Sequence, residues 1–469
     1  MPRAHGRLSH FVPRKTIFPD TQTWKLWLAI GTLMSFMLLG GGPISAGFGA
    51  AVMLGMGAAC ILAFGPYDGF SRLAGLPAVE LLCWIGILAI PVLQLIPLPP
   101  SIWTALPGRD VENQILALVG QSSAWLPLTL DRAATLSTLT MTLALGGVLL
   151  ATLALPDRSI RLLMIALVAF VAFSLFVGAI QLSSAGRLLT FYPTSHRGLL
   201  LGFFANRNHE ALLLAISILA VGYLVGTSRI PQRYRLSLFG FYAFIAFSAA
   251  FGTASRMGLA LCLVASFAVP LLFLGTTIAR KGYAWVAAGV LVLFLAGLAS
   301  LSGRAGTALE RYGDVGGDYR WTLWERSAAL LASYFPVGTG LGSFADVYQK
   351  YERLEWLLPN YVNDAHNDYI QLFVEAGLPG AMVLLLLIAT LVRTALITRP
   401  PDRHGRTGPT NLAKLGIAII LLILVHSVVD YPLRRPAIAV IFTLALALVF
   451  RQRVKPDKSA PQAFDSAAA

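Results

Sequence analysis

Charged side chains are scarce in this chain: they make up 12% of its residues, while 57% are apolar. Soluble domains average about 25% charged residues, so a water-facing globule of this size would have too little polar surface. The low polarity also excludes a disordered chain, and three cysteines in 469 residues are too few for a disulfide-stapled secreted domain. The composition indicates an integral membrane protein.

Long apolar runs take the place of the missing polar surface. Twelve of them approach the length of about 20 residues that a membrane-spanning helix needs. We therefore predict an all-α polytopic membrane protein with about twelve transmembrane helices and one large, partly helical outer loop. The predicted helices lie near 24–40, 44–64, 78–96, 134–155, 160–181, 209–227, 236–252, 256–275, 283–301, 373–397, 412–429 and 436–451.

These runs divide the chain into five segments. The first run follows a basic stretch and lacks an Ala-x-Ala cleavage site, so we expect a retained helix and not a removed signal peptide. We expect the C-terminal tail to lack regular structure. The segments are an N-terminal stretch (1–23), nine transmembrane helices (24–301), the large outer loop (302–372), three further helices (373–452) and the tail (453–469).

Basic residues are unevenly divided between the two sides of the predicted helices. The side that includes both termini holds 22 of the 36 Lys and Arg residues and 7 acidic residues, whereas the other holds 14 basic and 15 acidic residues. Cytoplasmic loops carry an excess of Lys and Arg, so this bias predicts that both termini are cytoplasmic. The net charge of +14 is then a signal of topology, and we expect no nucleic-acid partner.

The outer loop of residues 302–372 carries most of the polar chemistry. At about 70 residues it is far longer than an ordinary connection, and such loops are often functional. The stretch from Glu310 to Glu375 holds 10 of the 15 acidic residues on the outer side. Helical periodicity predicts a helix over 320–334, whose apolar face would consist of Trp321, Trp324, Ala328 and Leu331.

Three glycines follow this helix at alternate positions, Gly338, Gly340 and Gly342. A nucleotide-binding P-loop would need a preceding strand and a following Lys-Ser/Thr pair, and the sequence has neither. A tight turn that uses positive φ beside a helix fits the spacing better. Backbone amides of this turn, at Gly340 for example, could still contact an anionic substrate.

Two arginines, Arg207 and Arg256, lie at the outer ends of the sixth and eighth predicted helices. A guanidinium at the edge of the hydrocarbon is costly unless it reaches the lipid headgroups or binds an anion. One isolated arginine favours headgroup contact, but two at the same depth favour a paired site for phosphate oxygens. Arg197 and Arg320 are further candidates for glycan or phosphate contact, while for Arg434 and Arg435 we expect solvated positions or headgroup contact.

His366 is the one histidine in the large loop's last polar segment. A lone loop histidine is more often structural than catalytic, but imidazole is also a suitable general base for a sugar hydroxyl near neutral pH. An extended chain would place Asp364 and Asp368 on the same face as His366, which also allows a metal site, although no second histidine is near in sequence. Asp368 or Asn367 could orient the imidazole.

Several motifs in this order resemble the O-antigen ligase/O-antigen polymerase family. They cover roughly residues 200–395. The motifs are Gly202-Phe203-Phe204-Ala205-Asn206-Arg207-Asn208, Ser255-Arg256-x-Gly258, Gly338-x-Gly340-x-Gly342-Ser343-Phe344 with Tyr348, Ala365-His366-Asn367-Asp368-Tyr369 and Glu375-Ala376-Gly377-Leu378-Pro379-Gly380.

The resemblance implies a polyprenyl-linked glycan transferase of the GT-C type in the bacterial inner membrane, with its active site facing the periplasm. Such an enzyme moves a glycan from undecaprenyl diphosphate to an acceptor sugar hydroxyl, on the lipid A core or a growing polysaccharide, with inversion and without metal or cofactor. By motif, Arg207 and Arg256 would hold the diphosphate and His366 would activate the hydroxyl. Further substrate contacts are expected from Asn206, Asn208, Arg197, Arg320, Gly340, Asn367 and Asp368.

The resemblance does not separate a ligase from a polymerase, because the residues that choose the acceptor are not shared across the family. A transporter or a flippase of lipid-linked glycans is the alternative function. It would need charged residues near the middle of the membrane and interrupted helices in matching halves, whereas the polar residues here cluster at one side. A scaffold of an envelope assembly is a third hypothesis that no motif supports.

Overall fold

The computed structural model of the protein describes residues 21–43, 47–193, 196–274, 319–356, 361–397 and 410–454. Within these ranges the prediction of an all-α fold is confirmed, since the β structure there is one antiparallel pair of two-residue strands, β1 (Pro97–Leu98) and β2 (Leu126–Pro127). The ninth predicted helix (283–301), the loop start at 302–318 and the tail from 455 lie outside the described residues.

The apolar runs that the structure describes form the helices that the sequence predicts, within a few residues at each end. Seven described helices are long and apolar enough to cross a membrane, and four shorter apolar ones accompany them. The helices are α1 (Thr21–Leu39), α2 (Phe48–Phe64), α3 (Phe70–Ala74), α4 (Ala78–Leu95), α5 (Pro100–Trp103), α6 (Asp110–Leu118), α7 (Arg132–Ala154), α8 (Asp157–Ser183), α9 (Arg207–Gly226), α10 (Gln232–Gly252), α11 (Arg256–Val269), α12 (Tyr319–Tyr334), α13 (Phe344–Tyr351), α14 (Asp368–Ala395), α15 (Asn411–His426) and α16 (Pro436–Arg451).

The helix α9 is at the centre of the bundle. Every residue from His209 to Tyr223 is buried, and the helix packs against α8, α10, α11 and α15. Close approach to α11 depends on a glycine, because a Cβ added at Gly258 would lie 2.1 Å from the Cβ of Ala211. Small residues of this kind let helices in membranes pack at short distance. The position of the start of α9 is therefore firmly set.

The glycine-rich segment before α13 is a tight turn, as the sequence predicts, with φ of +81°, +109° and +87° at its three glycines. The amide of Gly340 donates to the carbonyl of Glu375 at 2.9 Å. A Cβ at Gly340 would lie 2.0 Å from Oγ1 of Thr129. The turn thus fastens the outer loop to the beginning of α7 and to α14, and the contact of Gly340 with substrate stays a prediction.

The predicted helix over 320–334 is present as α12, but the predicted apolar face is wrong. The buried face consists of Leu323, Ser327, Leu330 and Tyr334, whereas Trp321 is 59% exposed. Helix α12 packs against α14. The indole of Trp324 donates to the carbonyl of Ala365 at 3.1 Å, so this helix holds the chain immediately before His366.

At the opposite end of the bundle, a buried carboxylate pairs with arginines of helix ends that are distant in sequence. Glu80, at the start of α4, is fully buried, and its Oε1 accepts from Nε of Arg453 at 2.9 Å. Nε of Arg393, near the end of α14, lies 4.0 Å from the same oxygen. The starts of α9, α11 and α14 lie away from this end, and they build the candidate site.

Candidate functional site

Three segments meet where α9 and α14 begin and where α15 connects to α16. Each is shaped by local hydrogen bonds. Asn206 caps α9 by accepting from the amide of Asn208 at 2.9 Å, and Asn367 caps α14 by accepting from the amides of Tyr369 and Ile370 at 3.0 and 3.1 Å. Asn and Asp are favoured at such caps because their side chains satisfy free helical N–H groups. The caps fix the residues that flank them.

Asp430, in the connection between α15 and α16, is the point where these segments converge. The side-chain Nδ2 of Asn208 donates to Oδ2 of Asp430 at 2.6 Å, and the side-chain Nδ2 of Asn206 lies 3.3 Å from both oxygens. Three imidazoles surround the same carboxylate: Nδ1 of His366 at 3.6 Å, Nε2 of His426 at 3.7 Å and Nε2 of His209 at 3.8 Å. Asp430 therefore joins α9, the end of the outer loop and the end of α15.

The charge of Asp430 is set by these neighbours. Burial would raise the pKa of its fully buried carboxyl, but His366, His426 and His209 together hold that pKa well below its usual value. The group is therefore a carboxylate at neutral pH, and its negative charge faces the three imidazoles. Across the described part of the chain, no group of three or more His, Cys, Asp or Glu residues is spaced to hold a metal ion.

His366 combines a fixed position with partial exposure. Its backbone has φ of +50°, a conformation that is strained for a residue with a side chain. Its Nδ1 is buried beside Asp430, while the side chain as a whole is 33% exposed. The ring of Tyr431 meets the imidazole edge-on at 4.7 Å. The exposed part of the ring is thus the edge away from Nδ1, which leaves Nε2 for an incoming group.

The structure places Asp430 beside His366, so the expectation that Asn367 or Asp368 orients this imidazole is wrong. The side-chain Nδ2 of Asn367 donates to the carbonyl of Val428 at 2.9 Å. Oδ2 of Asp368 accepts from Oγ of Ser427 at 2.8 Å and from the amide of Leu433 at 3.2 Å. Both side chains are turned toward the connection after α15, because they satisfy its backbone and hydroxyl groups. Their predicted contact with substrate stays a prediction.

Arg435 is buried and Arg434 is half-buried, both in ion pairs, which corrects the expectation of solvated positions or headgroup contact. Arg434 contacts Oε2 of Glu375 at 2.5 Å and Oδ1 of Asp368 at 3.5 Å, and Arg435 pairs with Asp364. Burial lowers the pKa of Arg434, but the carboxylates of Glu375 and Asp368 outweigh it and raise that pKa. Burial raises the pKa of Asp364 even though Arg435 lies against it. Asp364 and Asp368, which were expected beside His366, instead pair with these two arginines.

The two arginines predicted to bind the diphosphate open adjacent helices. Arg207 is half-buried at the first position of α9, and Arg256 is exposed at the first position of α11. These helices pack closely one turn further along, where Gly258 meets Ala211. Burial and then the charge of Arg207 lower the pKa of His196, so this imidazole lies within the field of the Arg207 guanidinium. A helix N-terminus also favours a bound anion.

The remaining predicted arginines lie on other segments of the outer side. Arg197 is exposed in the segment that precedes α9, and Arg320 is half-buried at the start of α12. For both, the role in substrate binding stays a prediction. Asn206 and Asn208 differ from them, because their amides are both directed at Asp430.

Asp430, His209 and His426 were missed as site residues from the sequence. A local signal existed for two of them, since His426 and Asp430 have the i, i+4 spacing that brings side chains together at the end of a helix. The contacts of Asp430 with His366 and with the start of α9 gave no such signal, because they join segments that are distant in sequence. A carboxylate at the end of a predicted membrane span is costly unless it is paired, so it indicates a partner elsewhere in the chain.

A comparison with family models gives a match over residues 241–397, to a model described as O-Antigen ligase. The matched region contains Gly340, Arg256, His366, Asn367 and Asp368, while α9 and Asp430 lie outside it. A search of curated proteins finds no match to the chain. The resemblance to this family, which the sequence motifs indicated, is confirmed for that region.

Proposed function

We propose that this membrane protein transfers a polyprenyl-diphosphate-linked glycan to a hydroxyl group of an acceptor sugar. The proposal proceeds from the match of residues 241–397 to the O-antigen ligase model. It would act as an O-antigen ligase or as a polymerase of a surface polysaccharide. The observation that carries the proposal is the pair of His366 and Asp430, in which a partly exposed imidazole lies 3.6 Å from a buried carboxylate. Such a pair is suited to general base catalysis.

In the proposed reaction, Nε2 of His366 takes the proton of the acceptor hydroxyl as its oxygen attacks the anomeric carbon. The new C–O bond forms on the face opposite the diphosphate, the bond from that carbon to the phosphate oxygen breaks, and the configuration inverts. Asp430 stabilises the imidazolium that forms, as an acid partner does in hydrolytic triads. The diphosphate leaves with the bonding electron pair, so no ATP is required.

Arg207 and Arg256 are proposed to hold the diphosphate and to stabilise the charge that develops on it as it leaves. They are supported in this role by their places at the starts of two closely packed helices and by the planar guanidinium, which can bind phosphate oxygens in pairs. The resemblance to the family supports a reaction that is independent of metal. The polyprenyl chain would stay in the bilayer and approach from the side.

We further propose that both termini are cytoplasmic and that the site faces the periplasm. The division of 22 basic residues to one side of the helices and 14 to the other supports this orientation. The ion pairs of Glu80 with Arg453 and Arg393 belong to the more basic side. His366, Arg207 and Arg256 belong to the other side, where a diphosphate-linked glycan would be presented.

The proposal is tested by transfer in vitro with purified protein, an undecaprenyl-diphosphate glycan and candidate acceptors, with excess chelator and no ATP. Replacing His366 by Ala should reduce the transfer rate about 10²- to 10⁴-fold, the usual contribution of a general base. Arg256→Ala should also reduce it, whereas Arg353→Ala, at an exposed arginine of the outer loop, serves as the matched control. Undiminished transfer by His366→Ala would refute the assigned base.

A further inference from the structure

Helix α12 of the outer loop exposes a large aromatic side chain. The face of this helix that packs on the rest of the fold consists of Leu323, Ser327, Leu330 and Tyr334, whereas the indole of Trp321 is 59% exposed. Tryptophan is highly buried on average, and where it is exposed it is enriched at surfaces that bind partners. The exposed indole thus adds little to the packing of α12 and is available to a ligand.

A second indole holds this ring in place. The rings of Trp321 and Trp324 meet in a T-shaped contact, with 5.0 Å between their centroids and 72° between their planes. Trp324 is itself fixed, because its indole N–H donates to the carbonyl of Ala365 at 3.1 Å. We call these two rings the indole platform. Because its side chains are already ordered, a ligand that stacks on it has little ordering left to impose.

Two consecutive contacts connect the indole platform to the proposed catalytic base. Trp321 contacts Trp324, and Trp324 bonds to the carbonyl of the residue that directly precedes His366. Helix α12 also packs against α14, whose first turn follows His366. Arg207 and Arg256, by contrast, begin α9 and α11, which pack against each other. The platform therefore belongs to the neighbourhood of the base, where the acceptor hydroxyl must lie.

The polar groups beside the platform suit a saccharide better than a bilayer surface. Thr322 and Glu325 are both exposed, and Glu325 follows Trp321 at the i, i+4 spacing that brings side chains together on a helix. A helix on a membrane surface usually exposes Lys or Arg beside its tryptophan, but Arg320 and Arg326 are half-buried. Carboxylate and hydroxyl oxygens bind sugar hydroxyls, and the negative face of an indole attracts the C–H face of a pyranose.

We propose that the indole platform of Trp321 and Trp324 is a saccharide subsite, which stacks on a pyranose of the acceptor beyond the sugar that His366 deprotonates. The inference rests on the proposed function and adds a second sugar to what the enzyme recognises. A single sugar at the base would not reach the platform. The acceptor is therefore an oligosaccharide, and a ring with an open C–H face occupies the subsite.

Binding is tested without turnover, on the full-length protein in lipid nanodiscs with fluorine-labelled tryptophan. The chain has nine tryptophans, and the fluorine NMR signal that disappears in Trp321→Phe identifies this residue. The probes are two water-soluble saccharides, the core oligosaccharide that mild acid frees from lipopolysaccharide and a hexasaccharide of a surface polysaccharide. We expect one of them to shift the signal of Trp321 and to leave that of Trp125, an indole that is 61% exposed, unchanged.

Three variants test the role of the platform in transfer. Trp321→Ala should raise the KM for the acceptor about tenfold and leave kcat and the KM for the donor nearly unchanged, because stacking contributes to binding and not to the chemical step. Trp321→Phe keeps an aromatic face and should recover most of the affinity. Trp125→Ala is the matched control, since it removes an indole of similar exposure from the connection between α4 and α7, and it should change none of these values.

The inference is overturned if neither saccharide shifts the signal of Trp321, or if Trp321→Ala raises only the KM for the donor or neither KM. Broadening of that signal by lipids with a nitroxide near the headgroup would also overturn it, since the indole would then lie in the bilayer surface. If Trp321→Ala fails to fold, the titration of the wild-type protein decides alone. A shift of the Trp321 signal together with absent transfer would refute the proposed function and not the saccharide subsite.

Discussion

Oδ1 of Asp430 lies 3.6 Å from Nδ1 of His366, although one residue follows α15 and the other precedes α14. The separation is slightly longer than a hydrogen bond between these atom types, yet it is short enough for strong electrostatic interaction in a buried setting. The carboxylate is also held by the amides of Asn206 and Asn208. The start of α9 thus fixes the carboxylate that lies beside the proposed base.

Asp430→Asn should lower the transfer rate. The pKa of Asp430 is well below its usual value, so the group is a carboxylate at neutral pH. Its negative charge faces the imidazoles of His366, His209 and His426. Without that charge, the imidazolium that forms on His366 during transfer loses its acid partner, so kcat/KM should fall about 10²-fold.

The measurement is kcat/KM for wild type and Asp430→Asn, with folding checked by thermal unfolding. A loss of rate that is matched by an equal loss of folded protein would show that Asp430 acts only by holding the fold together. Asn208→Ala is a useful companion, since it removes a hydrogen bond to Asp430 and keeps the carboxylate. Its kcat/KM should stay closer to that of the wild type than that of Asp430→Asn does.

Glu375→Gln should destabilise the fold. Glu375 is fully buried and contacts Arg434 at 2.5 Å, and breaking a buried ion pair by removing one partner costs about 3–5 kcal/mol because a charge is left uncompensated. The exposed pair of Glu355 with Arg353, 3.8 Å apart, offers the control. Glu355→Gln should leave stability unchanged, as is usual for surface pairs. Thermal unfolding in detergent measures both, and equal effects would contradict the structural role of Arg434.

The arrangement of helices could be predicted from the sequence because continuous apolar runs have few alternatives in a membrane. The described helix α9, for example, begins two residues from its predicted start. The position of His366 near the start of α14 also followed from its motif. What the sequence could not provide was the identity of its acid, since Asp364 and Asp368 are nearer in the chain than Asp430.

Arg434 and Arg435 are a second case in which the sequence could not identify the partner of a charged residue. Arginines near the end of a membrane helix usually reach toward headgroups, and nothing local distinguishes these two. Their partners, Glu375 and Asp364, lie before α15 in the chain. Only the folded arrangement shows that Arg435 is buried against Asp364 and that Arg434 is half-buried against the fully buried Glu375.

Gly340→Ala should be strongly destabilising. The residue has φ of +109°, where a side chain is strained, and a Cβ would lie 2.0 Å from Oγ1 of Thr129. The strain and the overlap together should cost about 2–4 kcal/mol. Gly240, in the interior of α10, has no atom within 4 Å of such a Cβ. Gly240→Ala should be neutral or slightly stabilising, and thermal unfolding of the two variants distinguishes a steric requirement from a general intolerance of substitution.

Arg256→Lys tests whether the guanidinium geometry or only its charge is needed for the diphosphate. Lysine keeps the positive charge but cannot bind two phosphate oxygens in parallel, and Arg256 is exposed, so the change should not disturb packing. We expect the KM for the donor to rise about tenfold, the equivalent of roughly 1.4 kcal/mol, and inhibition by free undecaprenyl diphosphate to weaken in parallel. Arg353→Lys, at an exposed residue of the outer loop, should change neither value. If Arg256→Lys changes neither the donor KM nor the inhibition by the diphosphate product, the leaving group binds elsewhere. Arg207, on the adjacent helix, would then be the residue to replace next.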